Sequence, residues 1–232
     1  FNRTRWHWRY DTPEKYQHSV KGYYRMIAGI DLEIAKIRQQ LKKKGLDENT
    51  VIILMGDNGY FIGERQLAGK WLLYDNSIRV PLIIKWPHQG QRGKVCDVPV
   101  ISTDFYPTIL EMVGLPLQPK QHADGVSITA LVKGTGTLDR KALFWHFPHY
   151  SNHGMQSPGG AVRVGDYKLL EYFENNSVQL FNLKEDIGEQ NDLSGTEPKK
   201  VAELRSLLKA WRKNVYARMM VPNPDYVPTK EP

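Results

Sequence analysis

Residues 51–87, VIILMGDNGYFIGERQLAGKWLLYDNSIRVPLIIKWP, decide the fold of this chain. The stretch begins with the apolar run Val51–Met55, whose short length and branched side chains predict a strand buried on both faces. Asp57 and Asn58 follow between two glycines, at the carboxyl end of this strand, where open α/β sheets usually hold their ligands. Two adjacent oxygen donors at such a point suit a hard cation such as Ca²⁺ or Mg²⁺.

A lysine stands in the otherwise uncharged segment that comes next. Lys70 lies within Leu67–Leu73, and a second buried strand is predicted at Val80–Ile84. Local chemistry is equally compatible with purely structural roles for these residues. Asp-Asn-Gly is a common turn, and Lys70 could be a surface residue whose aliphatic stem extends along Trp71.

The whole stretch resembles the formylglycine-dependent (type I) sulfatases of the alkaline phosphatase superfamily. Members of that family carry a similar series of motifs, here Asp57-Asn58-Gly59, Gly63-Glu64, Gly69-Lys70-Trp71 and Ser77-Ile78-Arg79-Val80-Pro81. The resemblance implies that Asp57 and Asn58 bind a divalent metal, usually calcium, and that Lys70 contacts the sulfate of the substrate. It also implies a catalytic formylglycine, made from the Cys or Ser of a Cys/Ser-x-Pro/Ala-x-Arg motif.

That nucleophile motif is the main departure from the family. The chain has one cysteine, Cys96, whose surroundings do not fit the motif, and no other position supplies it. A single cysteine also excludes an internal disulfide framework and a thiolate zinc cluster. We therefore expect the nucleophile and the remaining metal ligands in an amino-terminal half, and we expect these 232 residues alone to be inactive. The absence of an initiator Met before Phe1 likewise suggests a piece of a longer protein.

Composition excludes two further classes of function. The net charge of +7 comes from basic residues spread among acidic ones, and no nucleic-acid recognition motif accompanies them. A positive field can equally favour a sulfated polyanion. No window approaches the roughly 18 to 20 apolar residues that a membrane span needs. The resemblance implies a periplasmic, extracellular or lysosomal setting, for which this segment carries no signal.

The spacing of apolar residues predicts one long helix before the opening stretch. Thr12 or Asp11 offers an N-cap, Pro13 suits the first turn and Gly45 the end. The stripe that we expect to pack on the sheet consists of Tyr23, Ile27, Ile30, Ile34, Ile37 and Leu41. A second helix is predicted after Asp104, which we interpret as part of its cap.

Four short segments with turn signals between them indicate an antiparallel sheet further along the chain. They are Ala142–Phe147, Gly160–Val164, Tyr167–Phe173 and Val178–Phe181, and a helix begins at Pro198. We therefore predict an α/β fold: part of a largely parallel sheet flanked by helices (residues 1–140), then a small α+β subdomain with a four-stranded antiparallel sheet and a carboxyl-terminal helix (residues 141–232).

Three hypotheses for the function follow from the sequence. The first is the carboxyl-terminal half of a sulfatase acting on a sulfated small molecule or glycan, with His146 and His149 as candidate substrate contacts at a strand-to-loop junction. A merely exposed or turn-stabilising role for these histidines is equally open. The second is a phosphomonoester or phosphonate hydrolase of the same superfamily, and the third is a non-catalytic binding or structural module. The sequence upstream of Phe1 distinguishes the three.

Overall fold

The computed structural model describes residues 2–150 and 157–225. Its helices are α1 (Asn2–Arg9), α2 (Pro13–Lys43), α3 (Asp75–Ile78), α4 (Phe105–Met112), α5 (Thr129–Lys133) and α6 (Pro198–Asn214). Its strands are β1 (Ile52–Met55), β2 (Phe61–Ile62), β3 (Ala68–Gly69), β4 (Leu82–Lys85), β5 (Leu143–Phe147), β6 (Gly159–Val164), β7 (Tyr167–Tyr172) and β8 (Val178–Asn182). Within this described part, no helix combines the length and apolar character that crossing a membrane requires.

The chain folds into two compact units. The first, the amino-terminal unit, comprises Asn2–Lys70 and Asn76–Lys141. The second, the carboxyl-terminal unit, comprises the chain from Ala142 onward together with the five residues Trp71–Asp75. The backbone therefore leaves the amino-terminal unit directly after Lys70 and returns to it at Asn76.

Helix α2 has the bounds that its sequence predicts, but its apolar stripe is not buried. The Thr12 hydroxyl accepts a hydrogen bond from the Lys15 amide at 3.3 Å, and Gly45 leaves the helix with a φ of +71°. No residue of α2 is buried, and Ile30 and Ile37 remain 56% and 59% exposed. Tyr23, Ile34 and Leu41 of the stripe are half-buried, so the helix is covered only in part within this chain, because a sheet of two short strands offers too little surface for 31 residues.

The sheet at the centre of the amino-terminal unit is antiparallel. Strands β1 and β4 pair with Ile53 opposite Ile84, and Ile83 is 62% exposed. The predicted α/β class is confirmed, whereas a parallel arrangement and burial on both faces are wrong for these two strands. Parallel neighbours need a crossover connection, usually a helix. The connection here holds only the β2/β3 hairpin and the single turn α3, so the chain comes back in the opposite direction.

Asp104 ties the second half of the amino-terminal unit together. Its fully buried carboxylate accepts hydrogen bonds from the amides of Ile101 and Val126, at 2.9 and 3.0 Å. The guanidinium of Arg140 binds the same carboxylate through both terminal nitrogens. The residue predicted as part of a helix cap thus also anchors the long connection that follows α4.

The carboxyl-terminal unit confirms the predicted α+β architecture. Strands β5 to β8 form an antiparallel sheet in sequence order. Because side chains alternate along β7, Leu169 packs on one face with Leu204 and Leu208 of α6, and Leu170 packs on the other with Phe181. Leu73 belongs to this second cluster, so the inserted segment Trp71–Asp75 contributes to the core of the unit.

Candidate functional site

The loop after β1 is held in one conformation by the segment before β4. The Gly59 amide donates to the carbonyl of Ser77 at 2.8 Å, and the Gly56 amide donates to that of Pro81 at 3.3 Å. A Cβ on Gly59 would lie 2.2 Å from the Asn76 carbonyl oxygen, so only glycine fits here. These contacts fix the backbone on both sides of Asp57 and Asn58.

The side chains of Asp57 and Asn58 contact each other at this point. The Asn58 amide donates to the Asp57 carboxylate, and this hydrogen bond is the main reason why the pKa of Asp57 lies below its ordinary value. Burial of the carboxyl opposes that shift, and the positive charge of Lys70 adds to it. The carboxylate is therefore ionised, and it lies within the electrostatic reach of the lysine.

The chemistry of these donors fits part of a calcium site. The Oδ1 atom of Asn58 is buried and has no hydrogen-bond partner among the described residues. Such an orphaned amide oxygen beside a carboxylate is the donor pair that a hard cation takes. The described residues contain no group of three or more His, Cys, Asp or Glu that could hold a metal. Asp57 and Asn58 by themselves offer only part of the roughly six to eight oxygens that Ca²⁺ requires.

Lys70 is positioned by a short hairpin and by helix α1. Strands β2 and β3 pair Phe61 with Gly69, and Phe61 is fully buried beneath them. The Asn2 side-chain amide donates to the Lys70 carbonyl at 3.1 Å. Gly69 has a φ of +111° directly before the lysine, a conformation that favours glycine. Lys70 and the Asp57/Asn58 pair belong to the same unit, and the lysine charge acts on the Asp57 carboxyl.

The two candidate histidines belong to the carboxyl-terminal unit. His146 lies on β5, and its Nε2 donates to the carbonyl of Arg218 at 2.8 Å. Its Nδ1 is buried without a hydrogen-bond partner in the described part of the chain. His149 is exposed, and its ring meets that of Phe147 edge-on at 5.4 Å. The contact with Arg218 favours the structural alternative for His146, whereas the His149 ring is accessible.

Sequence reasoning missed the contribution of Asn2. The first residues of the chain are mostly aromatic and basic, and they show no apolar stripe with helical spacing. No local pattern indicates that the side chain of Asn2 binds a backbone carbonyl 68 positions away. The α1 helix packs beside β3, and a Cβ on Gly69 would lie 3.0 Å from the Asn2 side-chain oxygen. Glycine at this position therefore also leaves room for the side chain of Asn2.

Comparison with known families and structures agrees with the motifs. Residues 63–217 match the family model described as N-sulphoglucosamine sulphohydrolase, C-terminal, and residues 3–115 match the sulfatase model. The N-acetylglucosamine-6-O-sulfatase of Bacteroides thetaiotaomicron is 28% identical, over 86% of this chain and 36% of its own length. A sulfatase of Formosa agariphila is 30% identical, over 84% of this chain and 40% of its own length. The chain thus spans about two fifths of the length of these relatives.

Solved structures give the same result. BT4656, in complex with its substrate D-glucosamine-2-N,6-O-disulfate, is 27% identical with a TM-score of 0.78, covering 87% of this chain and 42% of that one. The phosphonate monoester hydrolase of Silicibacter pomeroyi is 25% identical with a TM-score of 0.73, covering 90% of this chain and 43% of that one. Together with the two family models, these likenesses show that the chain belongs to the sulfatase family, whose carboxyl-terminal part it covers.

Proposed function

We propose that this chain is the carboxyl-terminal half of a sulfatase that hydrolyses sulfate monoesters of a sulfated sugar or polysaccharide. The observation that supports the proposal is the hydrogen-bonded pair of Asp57 and Asn58, whose carboxylate also feels the positive charge of Lys70. Relatives that act on sulfated amino sugars support the substrate class, since they include an N-acetylglucosamine-6-O-sulfatase and a protein bound to a disulfated glucosamine.

In this proposal Asp57 and Asn58 hold a divalent metal, and calcium is the ion that we propose. The bound metal would supply a positive charge that polarises the sulfuryl group. Lys70 would bind the sulfuryl oxygens directly, because its ammonium opposes the negative charge that gathers on them during ester cleavage. The hydrogen bond from Asn58 lowers the pKa of Asp57 and so favours the ionised carboxylate that binds a cation.

The other proposed contributions come from outside the amino-terminal unit or outside this chain. His149 is the better of the two histidines for contacting the sugar, because its ring is exposed while His146 is hydrogen-bonded to a backbone carbonyl. The formylglycine nucleophile and the remaining metal ligands would come from the amino-terminal half of the same protein. We therefore propose that residues 1–140 belong to the catalytic domain and residues 141–232 form its carboxyl-terminal subdomain.

A second candidate is hydrolysis of phosphomonoesters or phosphonates. The likeness to the Silicibacter pomeroyi phosphonate monoester hydrolase favours it, because the same part of the chain is covered. A sequence upstream of Phe1 with Cys/Ser-x-Pro/Ala-x-Arg supports the sulfatase. A lone Thr or Ser nucleophile with extra metal ligands supports the phosphatase, and loss of both the nucleophile and the acidic ligands supports a non-catalytic module.

The direct test uses this chain joined to the upstream residues of its own gene. We expect the joined protein to hydrolyse an aryl sulfate and a 6-O-sulfated glucosamine faster than the matched phosphate ester and phosphonate. Lys70→Ala should lower kcat about 10²- to 10³-fold, by analogy with the removal of one group that stabilises transition-state charge. Lys36→Ala is the control, because that lysine is 68% exposed and is paired with Glu33 on the surface of α2.

The outcomes separate the three hypotheses. Faster turnover of the phosphate ester or phosphonate contradicts the sulfatase and supports the second candidate. No turnover of any of these esters, together with an upstream sequence that lacks a nucleophile, supports the non-catalytic module. Equal losses for Lys70→Ala and Lys36→Ala contradict the role proposed for Lys70.

A further inference from the structure

Three ionisable side chains that the proposed chemistry does not use are buried together in the carboxyl-terminal unit. Lys168 and Glu189 have no exposed surface, and Asp75 is 9% exposed. The Lys168 ammonium lies 2.6 Å from Asp75 Oδ1 and 2.9 Å from Glu189 Oε1. The other carboxylate oxygen of Glu189 accepts a hydrogen bond from the backbone amide of Asp75 at 2.7 Å. We call these three residues the buried charge cluster.

The buried charge cluster is held together because its members compensate one another. Taking the Lys168 ammonium away would leave two carboxylates uncompensated in a low dielectric, which is strongly destabilising. Burial raises the pKa of Glu189, and the nearby Lys168 ammonium opposes that rise. The aromatic ring of Trp145, 6.0 Å away, is a further favourable neighbour of the ammonium.

The buried charge cluster anchors the segment Trp71–Asp75 to the carboxyl-terminal sheet. Strand β7 supplies Lys168 and the turn after β8 supplies Glu189, and both bind Asp75. Tyr74 donates from its hydroxyl to the Gln179 side chain on β8 at 2.7 Å. Leu73 is 9% exposed in the apolar cluster on the same face of the sheet. Three consecutive residues are thus fastened to the carboxyl-terminal sheet by three kinds of contact.

Lys70 directly precedes this segment in the chain. A fixed peptide segment limits the positions that the residue before it can take, and catalysis is sensitive to misplacement of a binding group by about 1 Å. We infer that the buried charge cluster is a positioning device for Lys70, acting through Trp71–Asp75. This inference rests on the proposed function, because positioning Lys70 matters for catalysis only if Lys70 binds the sulfate.

Hydrogen exchange measured by mass spectrometry tests the physical part of the inference, without substrate. Two variants make the same change of charge within the cluster. Asp75→Asn removes the bond between the inserted segment and Lys168, whereas Glu189→Gln keeps that bond and keeps an oxygen for the Asp75 amide. We expect about tenfold faster exchange in residues 70–75 for Asp75→Asn, and parent-like exchange there for Glu189→Gln. Equal exchange in the two variants, or parent-like exchange in Asp75→Asn, overturns the inference.

Kinetics of the protein joined to its upstream residues test the functional part. We expect Asp75→Asn to lower kcat for the sulfated sugar at least about tenfold with less than a threefold change in KM, as for an interaction that matters in the transition state. Glu171→Gln is the control, because Glu171 lies on the same strand as Lys168 but binds Arg205 and Arg212 of α6 instead of the inserted segment.

If the cluster has a purely structural role, Asp75→Asn and Glu171→Gln should both lower stability and leave kcat unchanged. That result overturns the inference. If the joined protein hydrolyses no sulfate ester, the proposed function fails, while the exchange result still decides whether the cluster orders the segment. The two failures are therefore distinguishable.

Discussion

Two glutamates of the carboxyl-terminal unit show how surroundings set the behaviour of one residue type. For Glu171, burial would raise the pKa, but hydrogen bonds from Arg212 and Arg205 outweigh it, and the pKa falls below 4.5. For Glu189, burial dominates the attraction of Lys168, and the pKa rises above 4.5. The difference lies in the partners: two guanidiniums face Glu171, whereas Glu189 shares one ammonium with Asp75. The two carboxyls should therefore affect stability with opposite dependence on pH.

We predict opposite pH profiles for Glu171→Gln and Glu189→Gln. A lowered folded pKa contributes stability that is complete above the unfolded value and is lost as the pH falls through the folded pKa. The destabilisation by Glu171→Gln should therefore be largest near neutral pH and shrink below pH 4.5. A raised folded pKa contributes stability that is complete below the unfolded value and is lost as the pH rises through the folded pKa. The stability of Glu189→Gln relative to the parent should therefore improve as the pH rises from 4.5.

Urea unfolding of the parent and of both variants between about pH 4 and pH 8 measures these differences in the free energy of unfolding. Each variant serves as the control for the other, because both replace a glutamate that has a cationic partner by glutamine in the same unit. Parallel profiles for the two variants would contradict the assignment of opposite shifts.

At the scale of elements, α6 depends on a few side chains of its inner face. Leu204 and Leu208 are fully buried against Val162, Leu169 and Leu180, while the neighbouring Leu207 is 38% exposed. Leu208→Ala should lower the free energy of unfolding by about 2–5 kcal/mol, because it removes buried apolar atoms and leaves a cavity. Leu207→Ala, the same change one position earlier, should cost less than about 1 kcal/mol. Thermal or urea unfolding measures both, and equal losses would show that the helix does not pack in this register.

Most of the secondary structure could be predicted from patterns within single elements. The pairing between elements could not be predicted in this way. Thr12 and Pro13 mark the start of α2, and the turn signals Gly165-Asp166 and Asn175-Asn176 bound β7, because caps and turns are local properties. The antiparallel pairing of β1 with β4 depends on the path between them, which no local pattern encodes. The same holds for Asp75, whose partners lie 93 and 114 positions further along the chain.

The candidate site shows the same division. The proposed metal ligands Asp57 and Asn58 and the proposed role of Lys70 could be derived from adjacency in the sequence and from motifs. Their supports could not, because Asn2 and Ser77 reach the site only after folding. A lysine between apolar residues in Tyr167–Leu170 was the available signal for the buried charge cluster, since a charge on an inward-facing strand position needs a buried partner.

At the scale of the whole molecule, the described residues leave apolar side chains exposed and provide only part of a set of metal ligands. Apolar side chains on α2 and β4 remain exposed, including Ile27, Ile30, Ile37 and Ile83 at 44–62%. The chain covers 36% and 40% of the two relatives compared above. We propose that the amino-terminal half of the same protein covers this apolar surface and completes the metal site, since Asp57 and Asn58 supply only some of the ligands.

Calcium binding tests this incompleteness directly. In the 232-residue chain alone, calorimetric titration with Ca²⁺ should show no saturable site tighter than about 1 mM, because one carboxylate and one amide oxygen cannot replace the hydration shell of the ion. In the protein joined to its upstream residues, a site of one ion per chain should appear. Asp57→Asn should weaken it at least about tenfold, because the carboxylate charge is lost and the shape is kept. Asp139→Asn, a change of the same type outside the site, should leave it unaltered. A tight one-to-one site in the shorter chain would mean that these residues form a complete cage and that no upstream ligands are needed.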